Sequence, residues 1–492
     1  MAARNLHTAI YQGKGDRPAI TVAGGPRLTY AEMERAAAAM AVALSSRGVV
    51  RGDRVSFLTE KSPLVVILAH ACLRLGAVLH PLNTGYTNTE IEGLLGDAEP
   101  RLMISDGSGA VRLAPLATAA KVGFTTLEEL CDPVGGKPAP VADVAGNDTA
   151  AILYTSGTTG RPKGAMITHE NLVESARALG KVWAITSDDR LLHALPVFHA
   201  HGLLTAINTM LVAGGEVLFL PRFEPREVIA ALPDATVMMG VPTFYARMLK
   251  EPDIAHATSN IRVLISGSAP LPLELAEQFR RATGHTIVER YGSTEAAIIT
   301  AVPPGTIDRT GWVGWPLPGV EVRVLRDDKS HADLGIGILE TRGHNVFRGY
   351  WRNATADAEA FTESGWFNTG DIAEIDSHGC IRLLGREKDL IISGGLNVYP
   401  KEIETVLDTL PGVETSAVFG VPHPDFGEAV VAAVETKAGE ELDEPALIAA
   451  SRERLAAYKC PKRVIAVPEI PRNRMGKVDK KVLRQDWKGL FS

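Results

Sequence analysis

Apolar positions fall into two rhythms along this chain of 492 residues. Short apolar runs at Arg54–Leu58, Ala77–Leu82, Leu102–Ser105, Ile152–Tyr154, Glu216–Leu220, Thr236–Val241 and Arg262–Ser266 predict buried strands. Helical patterns lie between most of them. Residues 28–45 carry an amphipathic pattern entered at Thr29, and Glu32 completes a capping-box signature. Leu64–Leu79 is the most apolar stretch, but its short length and Arg74 predict a buried helix rather than a membrane span. This alternation predicts a layered α/β architecture with mainly parallel sheets.

The texture changes near residue 311. Val320–Leu325, Gly337–Thr341, Ile372–Ile375 and Cys380–Leu384 read as short strands separated by Gly, Asp and Ser turns, a β-rich subdomain over about 311–385. Beyond it the pattern predicts a helix at Glu402–Asp408, strands at Thr415–Val421 and Ala429–Thr436, and a helix at Glu444–Leu455. The expected organisation is a large N-terminal α/β domain (1–385), a charged hinge (386–388) and a small α+β C-terminal domain (389–492). No internal repeat interrupts it.

Composition narrows the class. With 45% hydrophobic and 22% charged residues, the chain reads as a soluble globular protein. A net charge of −7, from 51 basic and 58 acidic residues, argues against nucleic acid as the main partner. Anionic ligands must then be met by locally placed cations. Cys72, Cys131, Cys380 and Cys460 are scattered without a C-x-x-C pair, which predicts free thiols in a reducing compartment and no zinc site. The N-terminus lacks a signal-peptide apolar segment, and no membrane partner is expected; the chain reads as cytoplasmic.

Five segments carry candidate chemistry. Thr155-Ser156-Gly157-Thr158-Thr159-Gly160-Arg161-Pro162-Lys163-Gly164 packs hydroxyls, glycines and two cations between an apolar strand and a helix expected from His169. Such a loop can turn N–H and O–H groups toward phosphates, although Walker A spacing is absent. Glu289-Arg290-Tyr291-Gly292-Ser293-Thr294-Glu295 offers a ring to stack on a base, a hydroxyl for phosphate and a carboxylate for Mg²⁺; a plain surface turn fits it equally. In Asn368-Thr369-Gly370-Asp371 the aspartate can accept ribose hydroxyls, or the segment is an ordinary Asx-type turn. Gly385–Asp389 with Gly394 and Gly395 is a linker or a hinge. Lys477, on a loop with Gly476, is a mobile cation or part of a basic tail.

In this order and spacing the five segments resemble the adenylate-forming superfamily of acyl-CoA synthetases, nonribosomal adenylation domains and luciferases. The resemblance covers essentially the whole chain. His193–Leu203, Met239–Arg247, Ile265–Pro270, Glu289-Arg290 and Gly395–Glu402 further resemble its malonyl-CoA synthetase branch. Ser293 departs from that branch, which more often has methionine there, and leaves room for altered acyl selectivity.

The resemblance implies an acyl-adenylate made from a carboxylic acid and Mg-ATP, then a thioester made with coenzyme A. It places Lys477 between carboxylate and α-phosphate, and Thr155 through Gly160 with Lys163 on the outer phosphates. Glu295 with Thr155 or Thr294 would hold Mg²⁺. Asp371 and Arg386 would hold the ribose, and Tyr291 with Gly292, Ser268 and Ala269 the adenine. Rotation about Lys388 would withdraw Lys477 and bring in Gly394 and Gly395, with His199 gating the thiol's entry. The acid is read from arginines: malonate's second carboxylate calls for a guanidinium, and Arg290 is the first candidate, with Arg247, His201 and Ser266 beside it. Methylmalonate or another short acid, an adenylating loader of a free acyl carrier protein, and a catalytically silent nucleotide-binding module remain alternatives.

Overall fold

The computed structural model describes residues 4–131, 138–155, 162–306, 309–393, 396–473 and 476–491. They form two compact units. The first comprises Met1–Leu271, Leu275–Glu321 and Thr341–Phe367. It contains two sheets. The larger runs, in spatial order, Trp315–Pro316, Ala297–Ala301, Ile287–Ser293, Val263–Ser266, Val237–Gly240, Arg190–His193, Glu216–Phe219, Pro18–Val22 and Arg27–Thr29. Its five central strands are parallel and almost continuously buried, so they read as apolar runs rather than as alternation. The second sheet runs Gly123–Thr126, Leu102–Ser105, Arg54–Leu58, Val78–Pro81, Thr149–Thr155 and Lys163–Thr168.

Local signals explain the helices around these sheets. Tyr30–Ser46 opens at Thr29, and both halves of the capping box form with Glu32. Pro63–Leu75 has Pro63 in its first turn, buries Val65 through Leu73 and ends at Gly76 with φ +69°. Among the described residues, no helix is long and apolar enough to cross a membrane.

The second unit comprises Pro272–Glu274, Val322–Glu340 and Asn368–Ser492. The expected β-rich strands are present, at Val320–Leu325, Gly335–Gly343, Phe367–Ile375 and Ile381–Arg386. This division groups much of the β-rich segment with the C-terminal residues, and Lys388 lies inside the unit. A second sheet pairs Val413–His423 with Gly427–Thr436 and is apolar on both faces. Val418, Val430 and Ala432 pack against Ile403 and Leu407, while Phe419, Val421 and Val431 pack against Ile470 and Leu483. The strand Arg463–Ala466 and the helix Lys480–Asp486 complete it, neither of which the apolar pattern had marked.

Asp408 closes the helix Pro400–Leu407 and accepts a hydrogen bond from Ser416 Oγ at 2.6 Å. Burial raises its carboxyl to about 6, against the Ser416 hydroxyl and Lys401. A folded pKa above the unfolded value means that stability is present at low pH and is lost as pH rises through about 6. Asp408→Asn should therefore match the wild type near pH 4 and exceed it by about 2 kcal/mol near pH 7.5. Thermal unfolding at the two pH values checks this; an equal difference at both would contradict it.

Candidate active site

The segment Thr155–Gly164 is anchored differently from its sequence reading. A strand, Lys163–Thr168, stands between it and the helix His169–Val182, and it pairs antiparallel with Thr149–Thr155. Thr155 therefore faces Lys163 across a ladder. Ser156, Gly157, Thr158, Thr159 and Gly160 lie outside the described residues. Thr155 Oγ1 donates to Glu295 Oε1 at 2.9 Å, and Tyr350 donates to the same oxygen at 3.3 Å. Lys163 sits 5.2 Å from the centre of the Tyr350 ring and 3.8 Å from Glu359. Burial, then the Glu295 charge, raises the Tyr350 phenol well above its ordinary value, so it remains a donor. Tyr350 thus touches both the carboxylate and the cation, and sequence reasoning missed it because Gly349-Tyr350-Trp351 carries no ionic signature.

The hydroxyl of Thr155 and the carboxylate of Glu295 form an oxygen-only donor pair, which suits Mg²⁺ better than softer metals. Among the described residues, no group of three or more His, Cys, Asp or Glu side chains could hold a metal alone. Mg²⁺ characteristically takes one or two carboxylates and completes its shell with substrate phosphates and water.

A second cluster lies at the carboxyl ends of the parallel strands, where open α/β sheets bind ligands. Val263–Ser266 and Ile287–Ser293 run side by side, with Ser266 opposite Glu289. The next residue, Arg290, is 7% exposed. Its Nη2 donates to Ser268 Oγ at 3.4 Å, and its Nε is buried without a partner. No ion pair to Arg290 occurs among the described residues. Burial lowers the guanidinium only to about 10, so it is charged at neutral pH. A side chain at Gly267 would place Cβ 2.3 Å from Arg290 Nε and 2.5 Å from its Cζ. Glycine there gives the guanidinium its seat.

His201 completes the cluster, its Nδ1 3.1 Å from Ser268 Oγ and its Nε2 buried without a partner. Burial, then Arg290, His199 and His193, hold this imidazole well below its ordinary range. Ser266 Oγ is likewise buried and unpartnered. His201 belongs to a π-helical segment, Ala200–Ile207, capped by His199, whose Nδ1 accepts from His201 N at 3.2 Å. π-Helical turns often mark functional sites. Gly202 permits this one, since a Cβ there would fall 2.0 Å from Pro196 O. Arg247 is placed elsewhere: it is exposed near the end of Pro242–Met248 and makes no hydrogen bond or ion pair with this cluster.

Tyr291 is buried on the same strand, and a bulge at Gly292 precedes the hairpin return Ala297–Ala301. Ser293 Oγ accepts from Ala296 N at 3.1 Å, so this hydroxyl caps the turn. Thr294 is half-buried, and Ala269 is exposed beside Ser268, whose φ is +69°.

In the second unit, Asp371 is buried and pairs across strands with Arg386, with Nε 2.6 Å from Oδ1. Lys388 is exposed in the single turn Glu387–Asp389. Lys477 is exposed at the exit of a tight turn, where its N–H donates to Asn473 Oδ1 at 3.1 Å and Gly476 adopts φ +75°. Gly394 and Gly395 lie outside the described residues.

The profile of the family described as AMP-binding enzyme matches residues 7–351, and that of its C-terminal domain matches residues 402–477. The chain belongs to the AMP-binding enzyme family. It is an AMP-forming acyl-CoA ligase of that family, and ATP is its nucleotide. It is 37% identical over 468 residues to a feruloyl-CoA synthase of Amycolatopsis sp, covering 94% of each chain. To the mitochondrial malonate–CoA ligase of Mus musculus it is 36% identical over 479 residues, covering 89% of this chain and 82% of the other. The crystal structure of ATP-bound MatB from Rhodopseudomonas palustris superposes with a TM-score of 0.95 at 42% identity, over 99% of this chain and 100% of that one.

The seat of Arg290 yields a direct expectation. Gly267→Ala must displace the guanidinium, because its Nε, Cζ and Cδ all lie within 2.9 Å of the new methyl. The concentration of acid needed for half-maximal pyrophosphate exchange should rise about tenfold or more, while that of ATP changes little. Equal losses for both substrates would contradict this placement of Arg290.

Proposed function

We propose that this AMP-binding enzyme is a malonyl-CoA synthetase, converting malonate, ATP and CoA to malonyl-CoA, AMP and diphosphate. One observation carries the reading: Arg290 is a buried, charged guanidinium that meets no carboxylate among the described residues. A buried charge without a counter-ion costs several kcal/mol, and a substrate carboxylate removes that cost by bidentate pairing. An acid with a single carboxylate spends that group on the α-phosphorus and has none left for Arg290. Malonate has a second carboxylate one carbon away. The malonate–CoA ligase and MatB likenesses support this choice.

In the proposed reaction the carboxylate is already ionised at neutral pH and needs no base. It attacks the α-phosphorus, forming an acyl–oxygen–phosphorus bond while the bond to the departing diphosphate breaks. The CoA thiolate then adds to the acyl carbon, and AMP leaves with its oxygen. Catalysis of the first step rests on positioning and charge neutralisation. Lys163 with the Thr155–Gly160 segment holds the outer phosphates, Asp371 and Arg386 the ribose, and Tyr291 with Ala269 the adenine. Lys477 meets the forming bond. Thr155 and Glu295 would hold Mg²⁺, which when bound neutralises phosphate charge. For thioester formation, rotation about Lys388 withdraws Lys477, admits the Gly394–Gly395 segment and leaves His199 at the thiol's entrance. Four free cysteines support a cytoplasmic setting.

The 37% identity to a feruloyl-CoA synthase favours a second reading, an aromatic monocarboxylate. Pyrophosphate exchange across malonate, methylmalonate, succinate, acetate, octanoate, benzoate and ferulate separates the two. Malonate should exceed every monocarboxylate by about a hundredfold or more in kcat/KM, since a monocarboxylate leaves a buried cation unpaired. Preference for ferulate or any other monocarboxylate would overturn the dicarboxylate reading.

A further inference from the structure

The cluster around Arg290 contains a hydroxyl whose geometry has a chemical consequence. Ser268 Oγ lies 3.4 Å from Arg290 Nη2 and 3.1 Å from His201 Nδ1. A guanidinium nitrogen can only donate, so the serine oxygen accepts from Arg290. The serine has one proton of its own, and His201 Nδ1 is the only acceptor within reach of it among the described residues. If Nδ1 carried a proton instead, Ser268 would face two donors and its own O–H would have no acceptor among the described residues. The fully satisfied arrangement runs Arg290 to Ser268 to His201, and it puts the imidazole proton on Nε2. The backbone pays for this position. Ser268 holds φ +69°, a conformation that strains a non-glycine residue and collects at functional sites.

We infer that Ser268 is a positioning residue for recognition of the acid. Its hydroxyl fixes His201 as the Nε2–H tautomer and leaves two buried donors, Nε2–H of His201 and Nε–H of Arg290, for one carboxylate of the substrate. Both nitrogens are buried and have no partner among the described residues. A carboxylate is acceptor-only, so it can satisfy both. In the opposite tautomer, Nε2 would present a lone pair to that carboxylate and repel it. Ser268 therefore sets the sign of the histidine's contribution without touching the reacting atoms.

The inference rests on the dicarboxylate reading for its substrate, but not for its tautomer, and two measurements keep them apart. The first is ¹⁵N-histidine NMR of the full-length, ligand-free enzyme, with the His201 signals assigned by their absence in His201→Gln. Wild-type Nδ1 should resonate as the unprotonated nitrogen and Nε2 as the protonated one, and Ser268→Ala should shift the pair toward a mixture. An Nδ1–H tautomer in the wild type overturns the inference whatever acid is used. The second is steady-state pyrophosphate exchange with Ser268→Ala and with Ser268→Gly, the latter relieving the positive φ. Both should raise the malonate requirement about tenfold and lower the malonate-over-acetate ratio, with the ATP requirement within about twofold. A rise confined to ATP would make Ser268 an adenine contact, and a uniform loss for both substrates would make it merely structural; either overturns the proposal. A wild-type enzyme that prefers a monocarboxylate while showing the Nε2–H tautomer would refute the substrate reading alone.

Discussion

A guanidinium in a protein interior must be answered by a negative charge, and at Arg290 the described residues supply none. That deficit organises its surroundings. Gly267 must be glycine because the arginine lies against its backbone. Ser268 adopts a strained φ and turns its hydroxyl to the same group. His201 stays neutral beside the charge, so the cluster carries one positive charge rather than two. The result is a buried cation that no ion pair among the described residues balances. Under the proposed function, the balancing anion is the second carboxylate of the acid.

The nucleotide side of the first unit is built on a separate logic. The hairpin of Thr149–Thr155 and Lys163–Thr168 delivers a hydroxyl and a cation from opposite strands. The turn after Ile287–Ser293 delivers Glu295, and Tyr350 links it to Lys163 through one hydroxyl and one ring face. The residues proposed for the acid and for Mg²⁺ thus diverge from one strand: Arg290 lies before the bulge at Gly292, and Glu295 lies after it.

Much of this was legible in the sequence where a local rule governs. The Thr29–Glu32 capping box, the buried parallel strands and the apolar helix at Pro63–Leu75 follow from spacing and composition. The candidate acid residues Arg290 and His201 also meet in space, at Ser268 Oγ. Other features depend on tertiary context. Lys163–Thr168 is short and polar at both ends, so a loop-to-helix reading hid a strand that only pairing with Thr149–Thr155 creates. For Glu289–Glu295 a surface turn fits the sequence equally, and the burial of Glu289 and Arg290 follows from the strands on either side. The π-helical turn at Ala200–Ile207 leaves no periodic trace over eight residues. Arg247 matched a motif, yet helix phase exposes it while Tyr245 points inward to Ile265.

The central claim is that Arg290 holds the carboxylate that does not react. A crystal structure of the full-length enzyme with a non-hydrolysable malonyl-adenylate tests it most directly. The distal carboxylate is expected within hydrogen-bonding distance of Arg290 Nε and His201 Nε2, with the adenylate phosphate out of reach of the guanidinium. A guanidinium bound to the phosphate, or left unpaired while the distal carboxylate faces solvent, would contradict it.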